Sequence, residues 1–157
     1  MIGRVLGSWI VSLYLEDIVV GAQYITDEVT ITADDIIAFA RQFDPQPFHT
    51  DPEAAKNSFF GGLAASGWHT AAITMRLLVT QGPRIAGGII GAGGELAWPS
   101  ATRPGDRLHV RITVESVTAS RSNPGRGGAI LKVETLTSED ELRQLFTVRT
   151  LLFSGPQ

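Results

Sequence analysis

GWHTAAITMRLLVTQ, residues 67–81, is the longest stretch of helical character, with Ser66 ahead of it and Gly82-Pro83 behind it as natural ends. Trp68, Ala71, Ala72, Met75, Leu78 and Val79 fall on one broad face, and the stretch contains no carboxylate. Beyond it the character changes. Segments 89–98, 107–118, 129–137 and 142–153 are long and strand-like, separated by Gly/Pro/Asn-rich or acidic turns. Leu108, Val110, Ile112 and Val114 alternate with Arg107, His109, Arg111 and Thr113, the pattern of an antiparallel strand with one buried face. A helix of about four turns followed by long antiparallel strands predicts an α+β fold, the sheet wrapped around that central helix. His69 is expected as a satisfied histidine of the packing layer, and His109 as a sheet residue facing solvent or a partner.

Working backward from the helix, QYITDEVTIT (23–32) alternates enough to read as a strand, and Thr32 reads as an N-cap. Ile36, Phe39, Ala40 and Phe43 then recur at helical spacing, which predicts an amphipathic helix over 33–43 that delivers the chain to Asp44. There the sequence reads DPQPFH (44–49). Proline fixes φ and drives the preceding residue toward extended geometry, so Asp44 and Gln46 are expected outside any helix. Two side chains able to move protons, Asp44 and His49, are thereby displayed on a stiff segment. Ser66-Gly67 adds a helix start, whose unpaired N–H groups and positive dipole end suit a developing negative charge. An acid/base pair with such a donor is equipped for proton transfer next to a carbonyl. A plainer alternative stands beside this one: Asp-Pro opens turns, and Thr50-Asp51-Pro52-Glu53 is an ordinary start for a short helix over 51–57, leaving Asp44 and His49 as turn residues.

The rest of the chain narrows the classes. Its 157 residues without an obvious linker predict one domain over 1–157, with 1–13 as an N-terminal extension. A net charge of −3 with scattered basic residues leaves no electrostatic footprint for nucleic acid. The absence of cysteine removes disulfides, thiolate nucleophiles and cysteine metal sites, and the three histidines lack zinc-motif spacing, so no metal is expected. The apolar part of the first fifteen residues is short and broken by Gly7, Ser8 and Ser12, unlike a signal peptide, and no run approaches the roughly 18 apolar residues of a membrane span; a cytoplasmic protein is expected. Phe59-Phe60-Gly61-Gly62-Leu63 is an apolar loop whose glycines permit close approach of backbone to a ligand, and neither it nor GAGGE (91–95) fits a nucleotide-binding pattern. SNPGRGG (122–128) reads as a flexible hairpin connection carrying a solvated Arg126.

These residues resemble the MaoC-like dehydratases and R-specific enoyl-CoA hydratases, which share the hot-dog fold. The family pattern of Asp, any residue, Asn, Pro, an aliphatic residue and His, then a small residue six positions on, stands here as Asp44, Pro45, Gln46, Pro47, Phe48, His49 and Ala55. The family's His-Gly at the central helix corresponds to Ser66-Gly67, its Arg-Pro-Gly-Asp turn to Arg103-Pro104-Gly105-Asp106, and its entrance to Tyr14-Leu15-Glu16-Asp17 with Val20-Gly21. Gln46 replaces the usual asparagine, Ser66 a histidine, and Phe43 stands where glycine often precedes the aspartate.

The resemblance implies a hydro-lyase that adds water to a trans-2-enoyl thioester to give the (R)-3-hydroxyacyl product, or runs the reverse dehydration. Asp44 and His49 would be catalytic, the Gly67 N–H would hold the thioester oxygen, and Gln46, Phe48, Gly62, Ser66 and Trp68 would contact substrate. Coenzyme A or acyl carrier protein would carry the acyl group as substrate, with no cofactor, and a homodimer or dimer of dimers is expected. A hot-dog acyl-CoA thioesterase and a non-catalytic acyl-CoA-binding subunit are the rival readings; such thioesterases generally carry an acidic residue on the central helix, which 67–81 lacks.

Overall fold

The computed structural model describes residues 12–156. Of the expected extension over 1–13, all but Ser12 and Leu13 lie outside the described residues. Leu13 is already tied in, its N–H donating to Arg84 O at 2.7 Å and its carbonyl accepting from Ala86 N–H at 2.9 Å. The helices are α1 (Ala33–Phe43), the short α2 (Pro47–Thr50) and α3 (Pro52–Lys56), and α4 (Gly67–Gln81). The strands are β1 (Gln23–Ile25), β2 (Val29–Thr30), β3 (Ile90–Ala97), β4 (Arg107–Ala119), β5 (Arg126–Thr137) and β6 (Leu142–Phe153). They form one antiparallel sheet in the order β1-β4-β5-β6-β3, with β2 also on β4, and α4 packs on β4 and β6. This is the hot-dog arrangement, α+β as the sequence predicts.

Alternation along the strands builds the core. Val110, Ile112 and Val114 of β4, Ala129, Leu131 and Val133 of β5, and Val148 and Leu152 of β6 are buried on the face that meets Leu77 and Leu78 of α4. Each fully buried Val, Leu or Ile contributes about 1.5–3 kcal/mol. A second cluster of Ile31, Ile36, Ala55, Leu63, Ala65 and Leu108 fixes α1 and α3 against the segment that leads into α4. Thr32 caps α1 as expected, its hydroxyl accepting from Asp35 N–H at 3.1 Å.

Four expectations need correction. The apolar face assigned to α4 is not the buried one: of its members only Leu78 is buried, whereas Trp68, Met75 and Val79 are exposed. The helix instead turns His69, Thr70, Thr74 and Leu77 inward with Leu78. Its threonines are accommodated because they satisfy one another and their neighbours: Thr70 with Thr102 at 2.9 Å, and Thr74 with Thr135 at 2.6 Å and with Gln144 Nε2 at 3.1 Å. The single strand expected over 23–32 is split, because the Thr26 hydroxyl accepts from Val110 N–H at 2.9 Å and substitutes for a ladder carbonyl between β1 and β2. β5 starts at Arg126 rather than 129, so Gly127 and Gly128 are strand residues. A Cβ on Gly127 would lie 2.5 Å from Thr118 O of the paired strand and 2.9 Å from the Leu15 methyls, so the glycine marks a close approach rather than a flexible loop.

His69 is not satisfied either. Its ring is buried and stacked on Phe39 (centroids 4.5 Å apart, 4° between planes), and its Nδ1 has no hydrogen-bond partner among the described residues. Burial pushes its pKa below the ordinary 6.5, partly opposed by Asp35. The fold thus holds the neutral ring, while the unfolded chain takes up a proton as pH falls through 6.5, so this residue withdraws stability on acidification and not at higher pH. His69→Phe keeps the stack and removes the buried nitrogen. Between about pH 7.5 and 5 its melting temperature should fall less than that of the wild type; equal falls would show that His69 is not the source. Among the described residues no helix is long and apolar enough to cross a membrane.

Candidate active site

Asp44 sits at the C-terminal end of α1, where its N–H still donates to Ala40 O at 2.8 Å while its φ of −153° turns the chain out of the helix. Pro45 forbids continuation, and Pro47 at the first position of α2 starts a new turn that carries His49. The stiff loop expected over 44–49 is therefore loop only to Gln46. This turn brings the two side chains together: Asp44 Oδ2 lies 3.3 Å from His49 Nε2, with side-chain exposures of 19% and 7%.

The remaining partners define what each group can do. His49 Nδ1 is 2.6 Å from Ala64 O. A carbonyl only accepts, so Nδ1 carries the hydrogen there, and in the neutral ring Nε2 keeps a lone pair on the side of the carboxylate. Asp44 Oδ1 accepts from Gln46 Nε2 at 2.7 Å, and Oδ2 accepts from Ser66 Oγ at 2.7 Å. Burial opposes ionisation of Asp44, but the bonds from Ser66 and Gln46 and the field of His49 outweigh it and hold the carboxyl below its ordinary 3.8. The result is an ionised carboxylate beside a basic nitrogen, an arrangement able to bind water and accept a proton from it.

Gly67 begins α4, and among the described residues nothing accepts from its N–H. The indole of Trp98 lies directly against it: a Cβ at 67 would stand 2.5 Å from Trp98 Cε2. Trp98 Nε1 donates to Gln144 Oε1 at 2.9 Å, and Gln144 in turn donates to Thr74. Gln144 carries no motif that sequence inspection would single out, and the Ala64 carbonyl that orients His49 has no side-chain signal at all.

The residues expected around substrate fare unequally. Phe48 is half-buried, its ring edge-on to His49 (centroids 4.5 Å) and tilted on Phe60 (5.1 Å), so it walls the imidazole. Gln46 is beside the pair, but its amide is engaged by Asp44. Trp68 is 61% exposed and edge-on to Trp98. Gly62 is drawn away: its carbonyl, with those of Phe60 and Leu63, accepts from the Arg103 guanidinium at 3.1, 2.6 and 3.3 Å, which makes Arg103 the tie that holds this loop. Ser66 is 1% exposed, and its hydroxyl donates to Asp44 and caps the helix start. Among the described residues no three His, Asp or Glu side chains gather as a metal site would require.

Known proteins share this fold. The model of the family described as MaoC like domain matches residues 17–135. A MaoC-like dehydratase from Rhodospirillum rubrum is 53% identical, covering 93% of this chain and 100% of its own, with a TM-score of 0.91. An R-hydratase from Pseudomonas aeruginosa, 20% identical over 92% of this chain and 88% of its own, shares the fold with a TM-score of 0.70. The uncharacterized protein YdeM of Bacillus subtilis is 38% identical over 68 residues, 43% of this chain and 48% of that protein, so the match spans about half of that relative. With the family model running from the 3₁₀ turn at the entrance through β4 and most of β5, and so across Asp44, His49 and Gly67, the chain belongs to the MaoC-like domain family of hot-dog hydratases and dehydratases.

Proposed function

We propose that this protein adds water across the double bond of a trans-2-enoyl thioester to give the (R)-3-hydroxyacyl thioester, or eliminates water in reverse. The observation that carries the reading is the Asp44–His49 pair, 3.3 Å apart, with His49 Nδ1 committed to Ala64 O and Nε2 left basic. Water held between Asp44 and His49 gives a proton to Nε2 as its oxygen bonds to C3. The π electrons pass to the thioester oxygen, where the free Gly67 N–H at the positive end of α4 stabilises the enolate. The enolate then takes a proton at C2 from the imidazolium, which returns to its neutral form, so one water is added and nothing is left over.

Coenzyme A or acyl carrier protein supplies the thioester. A second copy of the chain is the expected partner: Trp68, Met75 and Val79 present an exposed apolar stripe on α4, and β3 pairs on one edge alone among the described residues. The test is the ultraviolet absorbance of the conjugated enoyl thioester, followed with crotonyl-CoA and with longer and branched enoyl-CoAs. Loss of absorbance without free thiol supports the hydratase. Release of thiol without hydration would replace it with a thioesterase, and binding of acyl-CoA without any turnover would replace it with a non-catalytic subunit.

A further inference from the structure

Ser66 is buried, and its hydroxyl connects the two halves of the site. As the N-cap of α4 it accepts from Trp68 N–H at 3.3 Å, and it donates to Asp44 Oδ2 at 2.7 Å across 22 residues of sequence. A serine hydroxyl has one hydrogen to give, and here it goes to the same carboxylate oxygen that faces His49 Nε2. The other oxygen is held by Gln46, an exposed residue on the loop itself, which moves with Asp44 and cannot anchor it to anything else. Ser66, by contrast, is buried and fixed to the first turn of the helix whose next N–H, that of Gly67, is free. A hydroxyl is also indifferent to pH in the working range, so the link persists whether or not His49 is protonated.

We propose that Ser66 is a positioning residue whose hydroxyl ties the Asp44 carboxylate to the start of α4, holding the acid/base pair and the Gly67 N–H in one fixed geometry. Its catalytic consequence rests on the hydratase reading above. Without the tie the carboxylate is free to swing on the loop between α1 and α2, and the water it holds loses its alignment with His49 Nε2. The same bond is among the causes that keep Asp44 ionised below its ordinary value, which gives the tie a signature separate from turnover.

Two variants separate the tie from the helix cap. Ser66→Ala removes both; Ser66→Gly removes the hydroxyl but leaves a residue that N-caps nearly as well. Both are expected to lose on the order of 10²-fold in kcat, as a displacement of about 1 Å in a reacting group can cause, with KM little changed because the one hydrogen of the hydroxyl is given to Asp44. In both, carbon-13 NMR should show the Asp44 carboxyl titrating at higher pH than in the wild type. A loss in Ser66→Ala that is absent in Ser66→Gly would assign the effect to the cap and overturn the proposal, as would an unmoved Asp44 titration in Ser66→Gly. If the wild type hydrates no enoyl thioester, the hydratase reading fails by itself, and the Asp44 titration alone then decides whether the tie exists.

Discussion

Asp44→Asn and His49→Ala are each expected to lower kcat for enoyl-thioester hydration by ~10²–10⁴, the usual contribution of a positioned acid or base. The two act differently. Asparagine keeps the shape of aspartate but has a single oxygen, and two donors, Gln46 Nε2 and Ser66 Oγ, converge on the two oxygens of the native carboxylate. One of those donors must then face an NH₂ group, so the variant loses both the charge beside His49 and the hold on its own orientation. His49→Ala removes the nitrogen that faces Asp44 and is placed to take a proton from water there, and leaves the Ala64 carbonyl without its partner. Foldedness is checked by circular dichroism and melting before rates are compared. Because Ser66, Gln46 and His49 hold the Asp44 carboxyl below its ordinary value, an acid loss of wild-type activity well above that value is expected to come from another group. Either variant retaining near wild-type turnover would remove that residue from the chemistry.

The parts of this molecule that were legible in the sequence are those in which neighbouring residues decide the outcome. Thr32 and the recurrence of Ile36 and Ala40 mark α1, the Ser66 and Gly82 boundaries mark α4, and the alternation from Arg107 to Val114 marks β4. The DPQPFH run similarly announces Asp44 and His49, since two prolines leave the backbone few choices. What failed was decided across the fold. Apolar periodicity chose the wrong face of α4, because the buried face carries threonines whose partners, Thr102, Thr135 and Gln144, lie far along the chain. The bond from Ser66 to Asp44 is hidden for the same reason: it spans 22 residues and leaves no local trace. Gly127 reads as loop because composition does not reveal that Thr118 O of β4 and Leu15 press against it.

Gly67→Ala should destabilise the protein and lower its turnover, although helix propensity alone argues the opposite. Alanine is favoured over glycine within a helix by up to about 1 kcal/mol, and nothing in the backbone at 67 demands glycine, since its φ is not in the left-handed region. The space does. A Cβ there would lie 2.5, 2.6 and 2.9 Å from three ring atoms of Trp98, where carbon contacts settle near 3.5–4.0 Å. The indole cannot swing aside freely, because Nε1 is bonded to Gln144, which is 1% exposed and itself bonded to Thr74. Overpacking of this kind costs about 1–3 kcal/mol, which exceeds the propensity gain. If the helix start yields instead of the indole, the Gly67 N–H leaves its place, and losing a donor to a developing oxyanion lowers kcat by ~10²–10³. The cause is isolated by repeating the substitution in a Trp98→Ala background. With the ring gone the clash is gone, so Gly67→Ala should there be neutral or stabilising by melting, a non-additivity that marks the two residues as coupled. An equal loss of stability in both backgrounds would show that the Trp98 contact is not what requires glycine at the head of α4.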